Sequence, residues 1–426
     1  MDYDVIIVGG RPAGASLAAR LGARGLRVLV VDRMTFPSLP AVPSSPVLYP
    51  CAMRLLEALG IPEAGYADPS AQMRRLKMEL AGLFTVEMTV PAMQGGRDYV
   101  RGIERTTFDE LLWRNLDRFP SVTRREGYAV RDLLRDGDRV IGIVGGEREG
   151  APEEITARAV VGADGRFSLV ARKVGAEAVI ERNQHTSTAY YADWAGVESI
   201  HPEHPAAFIH ASARGLDVIL FAMPRGLISV NTHARSDRVD LGGDAERYYH
   251  ETVRSIPSIA RHLARAERVS PIYGVKRIGN GYRRASGPGW ALCGDAVHFK
   301  DPVDGQGIYD ALLGTEILDR ALASTLAGDT PWATAMDGYW RELLAATHPM
   351  FVATTGRLER ELYQEPPIPV IKTLLRWTLS DHGYQENFFR VLSREVPPEE
   401  LTSKRVMARA VARGIGRDLR GLLRRG

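Results

Sequence analysis

The sequence has very little cysteine, and this scarcity limits what its side chains can do. Cys51 and Cys293 are the only two cysteines among 426 residues, which is too few for a disulfide framework. Neither belongs to a CxxC pair or to a cluster with histidine, so a structural zinc site is excluded as well. Any demanding chemistry must therefore come from another source.

The sequence also lacks long apolar runs. The stretch from Val5 to Gly10 does not approach the ~18 residues that a membrane-spanning helix needs. The start, Met1-Asp2-Tyr3-Asp4, lacks the basic head of a signal peptide, and we predict a cytoplasmic protein. With 25% charged and 45% hydrophobic residues, the chain is neither disordered nor collagen-like. Its length predicts one large core with an attached module.

Net positive charge is confined to the C-terminal tail, because acids outnumber basic residues in the rest of the chain. The formal net charge is +3, whereas residues 404–426 alone carry +7, which leaves −4 for the remainder. The basic residues of the tail are Lys404, Arg405, Arg409, Arg413, Arg417, Arg420, Arg424 and Arg425, against the single acid Asp418. Because the body is mildly acidic, nucleic acid is predicted not to be a partner.

The same tail has an approximate apolar stripe along one helical face. Its members are Val406, Ala410, Val411, Ile415, Leu419 and Leu422. Such a helix suits an anionic membrane surface or an acidic partner. However, Gly414, Gly416 and Gly421 weaken it as a free-standing helix, which favours docking onto the body with the arginines in solvent. Peripheral membrane contact through the tail is the open alternative.

A β-turn-α-β unit is predicted for the first 32 residues. Residues 4–8 have the pattern of a strand buried on both faces of a parallel sheet. A glycine-rich turn over residues 9–14 follows, then a helix rich in small residues over 15–22 and a second buried strand over 27–31. Asp32 ends this strand, where an acid accepts hydrogen bonds from ribose hydroxyls in nucleotide-binding units.

Two of the three glycine places in a nucleotide-binding turn are filled. The first glycine permits the tight turn and the third lets helix pack on strand, and Gly9 and Gly14 take these places. Arg11 stands where the second glycine is expected. We therefore expect Gly10 to supply the backbone freedom and the Arg11 guanidinium to pair with a phosphate or face solvent.

Two further turns follow buried strands. Together with the glycine turn over residues 9–14, we call them the three corners. Residues 160–168 end a strand in an Asp164-Gly165 turn. Residues 294–308 place Gly294-Asp295 after a strand, pass through a loop with Pro302, and lead through Gly305-Gln306-Gly307 into a long helix. Because the strand signals extend from residue 4 to residue 293, the first domain is predicted to be discontinuous.

The segments between these corners have another pattern. Residues 76–90 and 186–234 contain runs of ~5–8 β-forming residues separated by turns, which predict an antiparallel sheet over the first domain. After Gly307 the pattern becomes helical, over 308–327, 332–347 and much of the rest.

Taken in order, these blocks resemble the FAD-dependent monooxygenases of the aromatic-hydroxylase type and their relatives, the flavin-dependent halogenases and geranylgeranyl reductases. The resemblance rests on the three corners and on Arg105-Thr106-Thr107-Phe108-Asp109, which looks like the family's Arg-x-x-Leu-Asp helix start. It implies an α/β fold, with a Rossmann-like FAD-binding domain of the glutathione-reductase type, an inserted antiparallel-sheet substrate domain and a helical C-terminal region. The implied segments are 1–75, 99–185 and 270–340 for the FAD-binding domain, 76–98 and 186–269 for the substrate domain, and 341–426 for the C-terminal region.

The resemblance also implies a set of FAD-binding residues. They are Gly9, Gly10, Arg11, Pro12, Ala13, Gly14, Asp32, Arg33, Arg105, Val130, Asp164, Gly165, Gly294, Asp295, Pro302, Gly305, Gln306, Gly307 and Ile308. The pyrophosphate would lie at the glycine turn, the adenine at the backbone of Val130, and the ribityl chain or pyrophosphate at Asp295. The helix N-terminus at Gly307 would face the pyrimidine edge of the flavin and stabilise its reduced anion.

The implied activity is that of a monooxygenase. NADPH or NADH would reduce the flavin transiently, and oxygen would form a flavin peroxide that hydroxylates or epoxidises a small aromatic or apolar molecule of secondary metabolism. No catalytic side chain is assigned, since His298 is expected to be structural and Ser168 and Ser286 lack a nucleophile elbow. Candidate substrate contacts are Tyr190, Tyr191, Asp193, Trp194, Phe208, His210 and Phe221, although strand side chains alternate between faces and only some of them can face a pocket.

Three other functions stay open at this point. A halogenase is expected to carry a Trp-x-Trp-x-x-Pro segment, and no Trp-x-Trp occurs in the sequence. A prenyl or alkene reductase shares the fold and differs in what fills the pocket. The third is a non-catalytic, flavin-bound scaffold, in which the glycine turn altered by Arg11 would be a remnant of an active enzyme. Such a protein would not oxidise NAD(P)H.

Overall fold

The computed structural model describes residues 1–40, 46–147, 150–239 and 242–423, so the predicted tail residues Arg424 and Arg425 lie outside the described residues. The strands are β1 (Tyr3–Val8), β2 (Val28–Val31), β3 (Val47–Leu48), β4 (Gln72–Met73), β5 (Arg75–Leu80), β6 (Phe84–Thr89), β7 (Val100–Gly102), β8 (Val122–Arg125), β9 (Tyr128–Asp136), β10 (Arg139–Glu147), β11 (Glu153–Gly162), β12 (Ala178–Glu181), β13 (Ser187–Ala195), β14 (Ala206–Ala211), β15 (Leu216–Ala222), β16 (Ile228–Arg235), β17 (Glu267–Arg268), β18 (Tyr273–Val275), β19 (Gly281–Arg283), β20 (Ser286–Gly287), β21 (Trp290–Leu292) and β22 (His298–Phe299).

The α-helices are α1 (Pro12–Ala23), α2 (Pro50–Ala58), α3 (Arg105–Arg114), α4 (Leu169–Lys173), α5 (Ala245–Ser255), α6 (Pro257–His262), α7 (Gly307–Ala327), α8 (Trp332–Leu358), α9 (Ile368–Val370), α10 (Arg376–Leu379), α11 (His382–Leu392) and α12 (Lys404–Leu423). Two π-helical turns, Glu359–Tyr363 and Ile371–Leu375, connect the C-terminal helices.

A parallel sheet forms the centre of the first domain, as the apolar strands predicted. Its order is β20-β21-β11-β1-β2-β8, in which the pairs from β21 to β8 are parallel and the edge strand β20 runs antiparallel to β21. Val5, Ile6 and Ile7 are fully buried because helices cover both faces of such a sheet. The strand predicted over residues 139–144 belongs to a branch of this sheet, where β10 runs antiparallel to β9 and β11.

The second sheet lies in the inserted segments, with the order β17-β13-β16-β15-β14-β5-β6. Most of its pairs are antiparallel, as predicted, but β5 and β14 pair in parallel. These two strands come from different insertions, so no tight turn forces them to run in opposite directions. One face of this sheet packs against α5 and α6 through Tyr249, Val253 and Ile259. The other face carries Met78, Ile209 and Ile219.

The C-terminal helices pack against the first domain and against one another. Helix α7 lies along α1, with ion pairs from Arg20 to Glu316 and from Arg24 to Asp319. Both cysteines are free and buried. Over the described ranges, we find no helix that is long and apolar enough to span a membrane.

Helix α12 docks onto α10 and α11, as the sequence favoured. A Cβ added at Gly414 would lie 2.2 Å from the Trp377 side chain, and Asp418 accepts hydrogen bonds from Arg376 and Trp377. Arg405, Arg409, Arg413 and Arg420 are exposed, as expected, whereas Arg417 is half-buried. Arg413 and Arg417 also reach toward the buried carboxylate of Asp381.

Candidate active site

A cavity of about 620 Å³ lies at the carboxyl ends of β1, β2 and β11, where Val8, Val31 and Ala163 line it. Ligands of parallel α/β sheets bind at this edge. The predicted cofactor residues that line the cavity are Gly9, Arg11, Pro12, Ala13, Asp32, Arg33, Arg105, Val130, Asp164, Gly165, Asp295, Pro302, Gly305, Gly307 and Ile308. Gly10, Gly14, Gly294 and Gln306 do not line it. Three corners that are far apart in sequence thus meet around one cavity.

The glycine turn is constrained by backbone contacts. Gly9 has φ +104°, and a Cβ at this position would lie 2.5 Å from the carbonyl oxygen of Ala163. A Cβ at Gly14 would lie 1.7 Å from the carbonyl oxygen of Gly9, so Gly14 permits the close packing of α1 on β1 that the sequence predicted. Gly10 instead faces the Trp113 ring, 2.3 Å from where a Cβ would be.

The guanidinium of Arg11 has partners within the protein. It donates to Asp109 at 2.6 Å and to the carbonyl oxygens of Ser38 and Leu39 at 2.9 Å. Arg11 also lines the cavity, so a phosphate partner for its guanidinium stays a prediction. A buried carboxylate and two carbonyl oxygens satisfy this cation within the protein.

Asp109 joins two of the predicted cofactor residues. The fully buried carboxylate accepts hydrogen bonds from Arg11 and, at 2.9–3.0 Å, from two nitrogens of Arg105. Burial lowers the pKa of Arg105, but Asp109 outweighs burial and holds that pKa above its ordinary value. Sequence reasoning named Asp109 only as part of a motif and missed this role, although the Arg-Asp spacing of four residues on a helix was a visible signal.

Two aspartates at the corners are held by backbone N–H groups. Asp32 accepts from the N–H of Gly10 at 2.8 Å and of Met34 at 2.9 Å. Asp164 accepts from the N–H of Leu169 at 2.6 Å and from the Ser168 hydroxyl, which places it at the start of α4. Burial raises the pKa of Asp164. Both carboxylates therefore fix their turns as well as line the cavity.

Asp295 differs from these two aspartates. Its side chain lines the cavity, and within the described ranges no hydrogen bond or ion pair to it is found. Burial raises its pKa, while Arg166 and Arg105 act in the opposite direction. Asp295 is only partly buried, and its carboxylate oxygens lack a partner in the described part of the protein, so this group is placed to accept hydrogen bonds from a ligand.

Helix α7 begins at Gly307, as predicted, and points its N-terminus into the cavity. Gly305 has φ +64° and turns the chain into the helix, and Gln306 provides no side-chain cap. A Cβ at Gly307 would meet no atom within 4 Å, so a ligand can approach the backbone closely. Uncapped N–H groups and the positive end of the helix dipole favour negative charge at this position.

A buried cluster of charges lies beside the start of α7. Asp310 pairs with Lys300 at 2.7 Å and with Arg394 at 2.8 Å, and Arg394 also donates to the side-chain oxygen of Gln306. Burial raises the pKa of Asp310, but the two cations outweigh burial and hold it below the ordinary value. Lys300 lines the cavity. Sequence reasoning missed this cluster because Arg394 comes from a helix end 84 residues after Asp310.

His298 lines the first cavity, and its Nε2 is buried without a hydrogen-bond partner among the described residues, so the structural hydrogen-bonding role that the sequence suggested stays a prediction. Its ring stacks on Tyr282 with centroids 4.2 Å apart and planes at 4°. The side chain is buried, and burial lowers its pKa to about 3. The imidazole is therefore neutral at the pH values at which enzymes usually work.

We expect this burial to make stability depend on pH. The unfolded chain, with a histidine pKa of about 6.5, binds the proton before the folded chain does. The contribution of His298 to the free energy of unfolding is fully present above pH 6.5 and falls by about 1 kcal/mol per pH unit toward pH 3. The free energy of unfolding, measured with denaturant between pH 4 and 6, should change less steeply with pH in His298→Phe than in wild type. The exposed control His382→Phe should keep the wild-type pH dependence. Equal slopes for wild type and His298→Phe would contradict this account.

A second cavity, of about 570 Å³, adjoins the first and shares Arg105 and Leu39 with it. Of the predicted substrate residues, Tyr191 and Asp193 line it, together with Tyr273. The rings of Tyr191 and Tyr273 lie 5.1 Å apart. One carboxylate oxygen of Asp193 is buried without a partner in the described part of the chain, and burial raises the pKa of this residue.

The other predicted substrate residues lie away from both cavities. Tyr190, Trp194 and Phe208 belong to the hydrophobic cluster under α5 and α6, and Trp194 donates to the Tyr249 hydroxyl at 3.0 Å. His210 lies beside Glu79, and Phe221 packs into the cluster on the opposite face. This placement corrects the prediction, because alternation on β13 points Tyr190 and Trp194 away from Tyr191 and Asp193.

Comparison with known proteins gives the family. The profile of an FAD binding domain matches residues 2–348. Ubiquinone hydroxylase UbiL of Rhodospirillum rubrum is 28% identical over 376 residues, which cover 86% of this chain and 83% of that protein. Tryptophan 2-halogenase of Chondromyces crocatus is 24% identical over 349 residues, which cover 79% of this chain and 64% of that protein. This chain thus matches less than two thirds of the length of the halogenase.

A solved structure supports the same fold. The myxobacterial chondrochloren halogenase CndH superposes with a TM-score of 0.74 at 22% identity, and the match covers 96% of each chain. Relatives also include digeranylgeranylglycerophospholipid reductases. Together with the three corners around one cavity, these matches show that the chain belongs to the FAD binding domain family of flavin-dependent oxidoreductases, as its motifs had predicted.

Proposed function

We propose that this protein is an FAD-dependent monooxygenase that uses NAD(P)H and O2 to hydroxylate or epoxidise a small aromatic or apolar molecule. The observation that carries this proposal is the junction of two cavities at Arg105: one is lined by the nucleotide-binding corners, and the other is lined by tyrosines and a carboxylate. A redox cofactor and a small substrate would meet at this junction.

The first cavity has the groups that FAD requires. Neither α1 nor α7 has a side-chain cap at its N-terminus, so two helix N-termini can receive the phosphates and the flavin edge. The carboxylate of Asp295 has no hydrogen-bond or ion-pair partner in the described part of the protein, and such a carboxylate suits the hydroxyls of a ribityl chain. Asp32 lies at the end of β2, where ribose hydroxyls bind in Rossmann units.

Bound FAD would supply the electron transfer and oxygen activation that no side chain of the chain can provide. The protein would bind and orient its reactants and exclude water from them. The N-terminus of α7 and Lys300, which lines the cavity beside it, would stabilise negative charge at the flavin edge. Asp109 would hold Arg105 in place between the two ligands.

We assign the substrate to the second cavity. Tyr191 and Tyr273 offer aromatic faces, Met223 and Leu227 add apolar surface, and Asp193 provides one buried acceptor. A planar molecule with one hydrogen-bond donor, such as a phenol, matches this set of side chains. This choice is consistent with the hydroxylases among the relatives, including ubiquinone hydroxylase UbiL.

Isotope incorporation tests this proposal. Purified, FAD-loaded protein is incubated with NADPH, 18O2 and a panel of phenols, quinones and polyenes. We expect substrate-stimulated NADPH oxidation and a product that carries one labelled oxygen atom. Saturation of an alkene under nitrogen would instead identify a reductase, and chloride-dependent halogenation would identify a halogenase. No turnover of NADPH with any compound, or with none added, would leave a non-catalytic flavoprotein and overturn the proposal.

A further inference from the structure

The outward face of α12 is apolar, although the helix is docked. Ile415, Leu419 and Leu423 are 44%, 56% and 82% exposed. Residues four apart lie on the same helical face, so these three side chains form one stripe. Soluble proteins seldom leave contiguous stripes of this kind uncovered.

Basic residues flank this stripe. Arg405, Arg409 and Arg420 are exposed, and none of them forms an ion pair with the residues that the structure describes. At 100° per residue they occupy the sector beside the apolar stripe. By contrast, Arg413 and Arg417, whose side chains are 59% and 37% exposed, lie 3.3 and 4.0 Å from the carboxylate of Asp381. Arg405, Arg409 and Arg420 are thus exposed arginines of α12 that have no carboxylate partner among the described residues.

The packing of α12 fixes which face is outward. Ala410 is fully buried, Gly414 lies against Trp377, and Asp418 bonds to Arg376 and Trp377. Residues 410, 414 and 418 therefore face the body, and Ile415, Leu419 and Leu423 lie on the other side of the helix.

We propose that this outer face of α12 binds anionic phospholipid bilayers. Its leucines and isoleucine would enter the boundary between headgroups and acyl chains, while the three arginines would contact lipid phosphates. A single outward helix face offers no groove for a peptide, whereas an apolar stripe beside unpaired arginines is the arrangement of interfacial helices. The positive charge of this face therefore favours binding to a negatively charged surface.

Vesicle co-sedimentation of the full-length, FAD-loaded protein tests the proposal. We expect binding to phosphatidylcholine vesicles that contain about one third phosphatidylglycerol, and much weaker binding to pure phosphatidylcholine. The triple variant Arg405→Glu, Arg409→Glu, Arg420→Glu should lower the partition coefficient by about 100-fold. Leu419→Glu should lower it by about tenfold. Val179→Glu, at a side chain that is 53% exposed on another part of the surface, is the matched control and should bind like wild type.

Two results would overturn the proposal. One is equal binding of wild type and Leu419→Glu to the anionic vesicles when both have the same thermal midpoint and FAD content. The other is a concentration-dependent dimer in sedimentation velocity that Leu419→Glu dissociates, since a second copy of the chain would then cover this face. Both measurements are independent of the monooxygenase activity, so failure of one proposal does not decide the other.

Discussion

Replacing Gly14 with alanine is expected to destabilise the protein and to abolish FAD binding. The new Cβ would lie 1.7 Å from the carbonyl oxygen of Gly9, which is backbone and cannot rotate away. Helix α1 must then move off β1, at a cost of about 3 kcal/mol in the free energy of unfolding. The same shift displaces the N-terminus of α1 from the cavity, so we expect the Kd for FAD to rise at least about 100-fold.

Gly338→Ala is the matched control for this experiment. Gly338 lies inside α8, and a Cβ there would meet no atom within 4 Å. Alanine should therefore stabilise the helix by roughly 0.5–1 kcal/mol and leave FAD binding unchanged. Urea unfolding and FAD titration of both variants measure these effects. If Gly14→Ala bound FAD as tightly as Gly338→Ala, the glycine turn could not be part of the cofactor site.

Replacing Asp109 with asparagine is the second change with a large expected effect. It leaves Arg11 and Arg105 without their shared carboxylate in a site where their side chains are only 19% and 11% exposed. Removing one partner from a buried ion pair costs about 3–5 kcal/mol. Because Arg105 lines both cavities, we also expect a weaker affinity for FAD, by tenfold or more.

The next residue on α3 provides the control. Glu110 pairs with Arg114 at the same spacing of four residues, but this pair lies at the surface. Exposed pairs contribute little to stability, so Glu110→Gln should unfold and bind FAD like wild type. Calorimetry and FAD titration compare the two variants. If both variants lost stability and FAD affinity to a similar extent, the effect would come from their position on α3 and not from the buried Arg11-Asp109-Arg105 network.

The local features of the fold were predictable from the sequence. A glycine turn after an apolar strand, an Asp-Gly turn and the start of α7 at Gly307 each depend on neighbouring residues. The parallel sheet followed from the unbroken apolar strands. Each of these elements depends on the conformations of residues that are adjacent in the sequence, so the local residue pattern was enough to predict it.

The contacts between distant segments were not predictable in the same way. Arg11 and Asp109 are 98 residues apart, and only the folded chain shows that their charges meet. The alternation of β13 indicated that Tyr190 and Tyr191 face opposite ways, but the pattern could not say which of them faces the cavity, because both sides of that sheet are covered. The same holds for Arg394 beside Asp310, since a single arginine after a helix carries no local signal.

Titration of the purified protein with FAD, followed by visible absorbance and flavin fluorescence, tests the central claim most directly. The account predicts that each chain takes up one FAD with saturation, and that Gly14→Ala and Asp109→Asn both weaken this uptake while Gly338→Ala and Glu110→Gln do not. The account would be contradicted if absorbance and fluorescence showed no saturable FAD binding, or if all four variants bound FAD equally well.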